Sequence, residues 1–286
     1  MLLADFIKSG AAALETLYPS PEARGMILML CQDRLGVKSY THVTEPGFEI
    51  PFGRLDGLQD DLRRLLSGEP LQYVTGECEF FGRKFIVNPS VLIPRPETEI
   101  LVQKAVTDAL SIDRPLRVLD LCTGSGCIAW SLALEVPFAE VVAVDISEDA
   151  LEVARGQFPD CRNIRFLKAD VLDPGQDFPE GQFDLILSNP PYIMEKEKAQ
   201  MRRNVLDYEP ELALFVPDDD PLVFYRAVAE WARLRLVPSG RGYVEINETL
   251  GPQTAEVFRS AGMVNVRILD DFSGKNRIVS FEKPAS

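Results

Sequence analysis

The chain has 286 residues, 46% hydrophobic and 26% charged, enough for one large domain with a sizeable core plus a smaller one. Its formal net charge of −14 argues against a broad duplex-DNA surface, because phosphate binding needs clustered Lys and Arg; it permits a basic protein partner. Five scattered cysteines without a Cys-x-x-Cys pair, and a single histidine, argue against a histidine-rich metal site, so no metal is expected and the thiols should be reduced, as in the cytoplasm.

Met1-Leu-Leu-Ala-Asp-Phe6 lacks a basic n-region, and no apolar run reaches about 18 residues, so neither a signal peptide nor a membrane span is expected. Residues 1–72 read as helical: Leu3, Phe6, Ile7, Ala11, Leu14 and Leu17 recur at helical spacing. Ser20-Pro-Glu-Ala predicts an N-cap with proline at N1, and Leu55, Leu58, Leu62, Leu65 and Leu66 give a third apolar stripe ended by Gly68 and Pro70. This small helical module has no chemistry of its own and could present a recognition face. From 73 to 94 the pattern turns to period two with aromatics, and Gly82 inside Glu79-Phe-Phe-Gly-Arg-Lys-Phe85 predicts a β-hairpin acting as a linker. Pro96, Glu97 and Glu99 suit the start of a helix carrying Ile100, Leu101, Ala105 and Leu110.

The remainder, with 95–286 taken as one domain, alternates strand and helix. Strands are expected at 117–121, 140–145, 163–168, 183–188, 241–247, 263–270 and 277–283, with helices near 125–135, 147–157, 220–236 and 249–261. Such alternation predicts a parallel, doubly wound α/β sheet. Asp271-Phe-Ser-Gly-Lys-Asn276 is too short for a crossover helix, so the last two strands should pair antiparallel. A seven-stranded, mostly parallel sheet with one antiparallel strand is the Rossmann-like arrangement of class I methyltransferases, and its ligand should lie outside the carboxyl ends of the strands.

At those ends the chain places a series of polar residues. Arg117-Val-Leu-Asp-Leu121 turns through Cys122-Thr-Gly-Ser-Gly126, where Gly124 and Gly126 allow a tight turn and close ligand approach. Asp120 could accept from a ligand ammonium or anchor the loop. Asp145, ending the second strand, could take two ribose hydroxyls, and Asp170 with Val171 could hold an adenine. The loop alone leaves a dinucleotide and S-adenosylmethionine equally open, because Gly124-x-Gly126-x-x-Ala129 followed by Asp145 also fits a loose dinucleotide fingerprint. The end of the fourth strand decides between them. Phe183-Asp-Leu-Ile-Leu-Ser188 runs into Asn189-Pro-Pro-Tyr192, whose prolines cannot donate ladder hydrogen bonds and hold Asn189 extended. The Asn189 amide and the Pro190 carbonyl can accept the two N–H bonds of a planar amino group, and Tyr192 offers a stacking wall; hydride transfer has no use for such a clamp.

With these motifs in place, the chain resembles the glutamine-N5 methyltransferases that modify peptide chain release factors, the HemK/PrmC family, over nearly its whole length. The match includes Glu69-Pro-Leu-Gln-Tyr-Val-Thr-Gly-Glu77, Val91-Leu-Ile-Pro-Arg-Pro-Glu-Thr-Glu99, the glycine loop, Ser188-Asn-Pro-Pro-Tyr-Ile193 and Tyr208-Glu-Pro-Glu-Leu-Ala-Leu214. The resemblance implies S-adenosyl-L-methionine as cofactor and the glutamine of a Gly-Gly-Gln motif in class 1 release factors as substrate. It implies catalytic roles for Asn189, Pro190 and Tyr192, with Pro191 and Phe81 also meeting substrate. Cofactor contacts are implied for Thr98, Asp120, Cys122, Thr123, Gly124, Ser125, Gly126, Asp145, Ile146, Asp170, Val171 and Asn189. Stable nucleic-acid binding and membrane binding are not expected; a cytoplasmic monomer is.

Two positions depart from the family: Cys122 and Asn247 stand where glycine is usual, and Asn is the residue that best replaces glycine at positive φ. A ribosomal-protein glutamine methyltransferase, an adenine-N6 nucleic-acid methyltransferase and a non-catalytic cofactor-binding protein remain as alternatives. Asn-Pro-Pro-Tyr by itself is shared with adenine-N6 enzymes, and a purely binding protein would not need it.

Overall fold

The computed structural model describes residues 1–173 and 181–285. The chain divides into two compact units, Met1–Glu77 with Arg202–Tyr208, and Cys78–Met201 with Glu209–Ser286.

The first unit is helical: α1 (Leu3–Leu14), α2 (Ser20–Leu35), a single turn α3 (Thr41–Thr44), α4 (Leu55–Leu66) and α5 (Leu71–Thr75). Leu3, Phe6, Ile7, Leu14, Ile27, Leu30, Leu58 and Leu65 form its core, as the helical spacing requires. Arg34 ties three helices together, donating to Asp61 Oδ2 at 2.7 Å and to the Val74 carbonyl at 2.6 Å. The cap of α2 differs from the sequence expectation. Pro19 occupies the N-cap position in extended conformation, Ser20 is already helical, and no side chain caps the turn. The segment Arg202–Tyr208, distant in sequence, completes this unit through Arg202 with Glu22 at 2.7 Å and a Tyr208–Ser67 hydroxyl contact at 3.0 Å.

The second unit begins one residue into the hairpin formed by β1 (Glu77–Phe80) and β2 (Arg83–Ile86). Its two-residue turn places Phe81 at φ 49° and Gly82 at φ 72°, the left-handed pair of a type I′ turn, with a phenylalanine where Asn or Gly would be unstrained. Glu99 holds the turn by accepting from the Phe81 N–H at 2.9 Å. The hairpin is more than a connection: Phe80 and Phe85 lie in a core that continues through Phe158 to Trp130 and Phe166, with ring centroids 5.3 to 6.0 Å apart.

After α6 (Thr98–Leu110) come β3 (Leu116–Leu121), α7 (Cys127–Glu135), β4 (Ala139–Asp145), α8 (Glu148–Arg155), β5 (Ile164–Lys168), β6 (Phe183–Ser188) and the short β7 (Ile193–Met194). Following α9 (Arg203–Leu206) of the first unit, β8 (Phe215–Val216), α10 (Val223–Arg235), β9 (Leu236–Glu245), α11 (Gly251–Ser260), β10 (Val264–Asp270) and β11 (Asn276–Glu282) end the chain. The main sheet has the order β10-β11-β9-β6-β3-β4-β5, and β11 alone runs antiparallel to its neighbours. This is the class I methyltransferase sheet. The central strands read as continuous apolar runs because both faces are covered: α6, α7 and the hairpin on one side, α10 and α11 on the other. Asp184, buried in β6, is satisfied by the Arg117 N–H at 2.8 Å and by Arg114. β7 and β8 form a two-residue parallel pair, so the chain is pinned immediately after the proline turn.

Candidate active site

The parallel strands β3, β4, β5 and β6 deliver their carboxyl ends to one cavity of about 200 Å³. Its floor is the β3–α7 loop. Thr123 N–H donates to the Val144 carbonyl at 2.9 Å, and the Thr123 hydroxyl donates to Asp120 Oδ2 at 2.6 Å, so the loop is fastened to both β4 and β3. Asp120 is therefore the loop's anchor. It is 0% exposed and lies behind the cavity wall. Burial pushes its carboxyl up to about 7, with the Thr123 hydroxyl opposing the shift.

Cys122, Thr123, Gly124 and Ser125 line the cavity. Cys122 takes φ 61°, so this turn demands the left-handed region and the chain accepts a side chain there. The two glycines serve different ends. Gly124, at φ 53°, has nothing within 4 Å of where a Cβ would stand, so open space faces it. Gly126, at φ 79°, would place a Cβ 2.9 Å from Trp130 Cδ1 and 3.2 Å from Ala154 Cβ, so it is a packing glycine beneath α7.

Asp145 accepts from the Gly124 N–H and the Ser147 N–H, both at 2.9 Å, tying the glycine loop to the start of α8. Burial raises its pKa, opposed by those N–H groups. Each oxygen keeps a further lone pair, and Asp145 and Ile146 face the cavity. Asp170, whose Oδ1 accepts from the Leu172 N–H at 2.9 Å, lines the far side with Val171.

The proline turn closes the opposite wall. Ser188 Oγ donates to the Leu121 carbonyl at 2.8 Å, fixing the end of β6 on β3. Asn189 and Pro191 line the cavity; Pro190 and Tyr192 stand outside its lining, as does Phe81 at the hairpin tip. Asn189 Nδ2 donates to Thr98 Oγ1 at 3.2 Å, Thr98 Oγ1 donates to Glu245 Oε2 at 2.5 Å, and Tyr192 Oη donates to Glu245 Oε1 at 2.9 Å. Burial raises the Glu245 pKa, countered by the Thr98 and Tyr192 hydroxyls and by Arg277. Burial, then Glu245, drives the Tyr192 phenol far above its ordinary pKa, so it stays protonated and acts as a donor.

Asn247 overturns one expectation. It is absent from the positive-φ residues, so it does not stand in for glycine's backbone freedom. Its side chain works instead: Nδ2 donates to the Tyr192 carbonyl at 3.2 Å and to Glu197 Oε2 at 3.0 Å, while Oδ1 accepts from Thr249 N–H and Oγ1. Glu197 in turn accepts from the Met194 N–H at 2.8 Å. The left-handed site among the two departures is Cys122.

The cavity mouth draws on the remaining shared blocks. Ser90, Val91, Leu92, Pro94 and Arg95 form one rim and Pro210, Leu212 and Ala213 another. Glu209 joins them, accepting from Arg95 Nη2 at 2.6 Å and from the Ile93 N–H at 3.2 Å.

Comparison with known proteins adds the family. A model described as a methyltransferase domain matches residues 118–207, and one described as the PrmC N-terminal domain matches residues 5–76. A release factor glutamine methyltransferase of Bacteroides thetaiotaomicron is 42% identical over 270 residues, 94% of this chain and 95% of that one. The chain belongs to the release factor glutamine methyltransferase family. Another member, from Flavobacterium psychrophilum, is 36% identical over 282 residues, 98% of each chain. Among solved structures, a methyltransferase from Pyrococcus furiosus shares the fold, with a TM-score of 0.52 and 20% identity over 79% of this chain and 99% of that one.

The family's sequence blocks meet around the cavity; Glu245 has no role expected from the sequence, Asn247 is expected only as a glycine substitute, and Glu209 is read only as part of the Tyr208–Leu214 block. Glu245 and Asn247 end a strand, where polar residues are ordinary, and nothing in their local pattern marks them as partners of Thr98 and Tyr192.

Proposed function

We propose that this chain transfers a methyl group from S-adenosylmethionine to the side-chain amide nitrogen of the glutamine in the Gly-Gly-Gln motif of class 1 release factors. The single observation behind the choice of an amide is the proline turn: Asn189 sits on the cavity wall with its NH2 held by Thr98, between Ser188, fastened to β3, and Tyr192, fastened to Glu245. The cofactor fits the cavity's own chemistry. Gly124 leaves space where a side chain would intrude, Asp145 and Asp170 offer acceptors for hydroxyl and amino groups, and Val91, Leu92, Ile128, Ile146, Val171 and Leu172 give apolar wall. Bound there, S-adenosylmethionine supplies an electrophilic methyl on a sulfonium whose departure leaves a neutral thioether.

The chain's own contribution is orientation. A primary amide nitrogen is a poor nucleophile because its lone pair is delocalised into the carbonyl. Asn189 Oδ1 and the Pro190 carbonyl accept its two N–H bonds, which fixes and polarises the nitrogen; the N–C bond forms as the carbon–sulfur bond breaks, and one of the two N–H protons is released to water as the N-methyl amide forms. Tyr192, protonated and held by Glu245 and Asn247, supports the turn beneath. Phe81, held at the hairpin tip, and the helical module of residues 1–72 are assigned to recognition of the protein substrate. A cytoplasmic, monomeric enzyme without stable nucleic-acid contacts is part of the same reading, and the net charge of −14 supports the last of these.

The test uses labelled S-adenosylmethionine with a release factor carrying the motif glutamine or a substitute there. Label should require the glutamine, and Asn189→Ala should keep cofactor affinity while losing nearly all transfer. Equal labelling of both release factors, or full turnover by Asn189→Ala, would refute the reading.

A further inference from the structure

We propose that Thr98, through a hydrogen-bond polarity imposed by Glu245, fixes which end of the Asn189 amide meets the substrate and so makes the site select glutamine over glutamate. The inference rests on the amide clamp described above and assigns its selectivity to a residue outside the Asn-Pro-Pro-Tyr block.

With Glu245 ionised, the three contacts admit one arrangement of protons. Glu245 is 1% exposed and receives two hydroxyls, Thr98 on Oε2 and Tyr192 on Oε1. As a carboxylate it can only accept, so Thr98 must spend its one hydroxyl proton on it. The Thr98 oxygen can then only accept from Asn189, at 3.2 Å. An accepting oxygen demands the NH2 end of the Asn189 amide, which leaves Oδ1 as the end that a substrate in the cavity meets. Arg277 of β11 and Glu97 ahead of α6 also face Glu245, with opposite effects on its charge. Arg277 is itself shared with Asp271 at 3.1 Å, so it stabilises the carboxylate without displacing either hydroxyl.

Without this relay the Asn189 amide has little reason to choose. Oxygen and NH2 are close in size, so packing barely distinguishes the two orientations. The consequences for substrate are opposite. Oδ1 facing the cavity accepts from a glutamine NH2 and repels a glutamate carboxylate. NH2 facing the cavity would repel the glutamine NH2 and welcome the acid. Thr98 is 1% exposed at the first turn of α6, on the same block, Pro94-Arg-Pro-Glu-Thr98, that forms the cavity rim. That placement explains why a rim segment far from Asn189 in sequence carries a buried hydroxyl.

The experiment compares Thr98→Val, which keeps the shape without the hydroxyl, with Thr98→Ser, which keeps the hydroxyl without the methyl. In both, kcat and KM are measured with release factor, together with inhibition by a release factor whose motif glutamine is glutamate and calorimetric affinity for S-adenosylhomocysteine. Loss of one hydrogen bond to an ionised relay predicts kcat lower by about 10- to 100-fold in Thr98→Val, with KM and product affinity within about threefold of wild type. Thr98→Ser should keep most of the turnover that Thr98→Val loses. Inhibition by the glutamate form should tighten about tenfold in Thr98→Val only. If Thr98→Val does not fold, Thr98→Ala removes the same hydroxyl and should show the same change in selectivity. Equal behaviour of the Val and Ser variants, unchanged inhibition by the glutamate form, or a product-affinity loss matching the kcat loss would overturn the proposal. Should Asn189→Ala itself retain turnover, the clamp fails as a whole; should it lose turnover while Thr98→Val does not, only the role of Thr98 fails.

Discussion

Glu209 offers a test of how the cavity rim is held. Its side chain is 1% exposed, and its carboxylate accepts from Arg95, itself 34% exposed, at 2.6 Å and from the Ile93 N–H at 3.2 Å. Glu209→Ala leaves the Ile93 N–H, on a residue only 3% exposed, without its acceptor. That loss costs about 1–3 kcal/mol for the stranded N–H. The ion pair adds about 1 kcal/mol at most, because Arg95 is partly solvated and regains water when released. Together the perturbation is about 1–4 kcal/mol, and it falls on a segment with little regular structure of its own. Between Ile86 and Thr98 the described backbone contacts are mainly the Val91 N–H to Asn88 turn at 3.1 Å and the bends that lead into α6. Val87, Val91 and Ile93 are buried, and Glu209 adds the polar tie that the segment otherwise lacks, so its loss should open the segment locally before the domain unfolds.

Because Ser90 to Arg95 form one wall of the cavity, an opened rim lowers the fraction of molecules competent to bind, and apparent affinity falls by the same fraction. Glu209→Ala should therefore weaken S-adenosylhomocysteine binding by about tenfold or more, while the global melting temperature shifts by only a few degrees. Calorimetry gives the affinity, and hydrogen exchange at the Ile93 amide reports the opening directly. Exchange at Ile93 no faster than in wild type, with unchanged affinity, would show that the carboxylate does not hold the rim.

The two loop glycines should separate cleanly. Gly126→Ala forces a left-handed alanine against Trp130 and Ala154 and should lower stability by about 2–4 kcal/mol in chemical denaturation. Gly124→Ala meets open space, so it should cost only about 1 kcal/mol of stability yet weaken cofactor binding severely in calorimetry. Asp120 predicts a pH dependence: its folded pKa, about 7, lies above the ordinary 3.8, so the folded state binds the proton more tightly and stability declines as pH rises from about 4 to about 7. Asp120→Asn should flatten that part of the decline in denaturation curves taken across the range, and an unchanged slope would contradict the assignment.

Much of this fold could be read from the sequence because its signals are local. Buried parallel strands are apolar on both faces, so Val141 to Val144 stands out as an uninterrupted run, and Val118 to Leu121 and Phe183 to Leu187 as apolar runs broken only by Asp120 and Asp184. The loop glycines and the proline turn also declare themselves within a few residues. What escaped depends on distance along the chain. Thr98 and Glu245 are 147 residues apart, and Tyr192 and Glu245 are 53 apart; nothing in either neighbourhood announces the partner. The same holds for Arg202–Tyr208, whose place with the helical unit rests on side-chain contacts to Glu22 and Ser67. Asn247 was misread for a different reason. A glycine position can be taken over by a residue whose side chain earns its place through hydrogen bonds while the backbone leaves the left-handed region.

The buried acids of the second unit share a physical logic that bears on the chemistry. Asp120, Asp145 and Glu245 all have pKa values raised by burial and accept from neutral donors: one Asp120 oxygen from the Thr123 hydroxyl, Asp145 from the Gly124 and Ser147 amides, and Glu245 from the Thr98 and Tyr192 hydroxyls. Such carboxylates orient dipoles in surroundings of low polarity, where orientation is expensive to disturb. Asp145, which faces the cavity beside the glycine loop, favours a cationic ligand and is in turn eased by it. Methyl transfer to an amide asks for little else. The donor arrives already electrophilic, and the acceptor nitrogen is too weak a nucleophile to be rescued by loose contact. A site whose acids fix geometry, with a phenol kept protonated at Tyr192, suits a reaction in which alignment replaces proton abstraction.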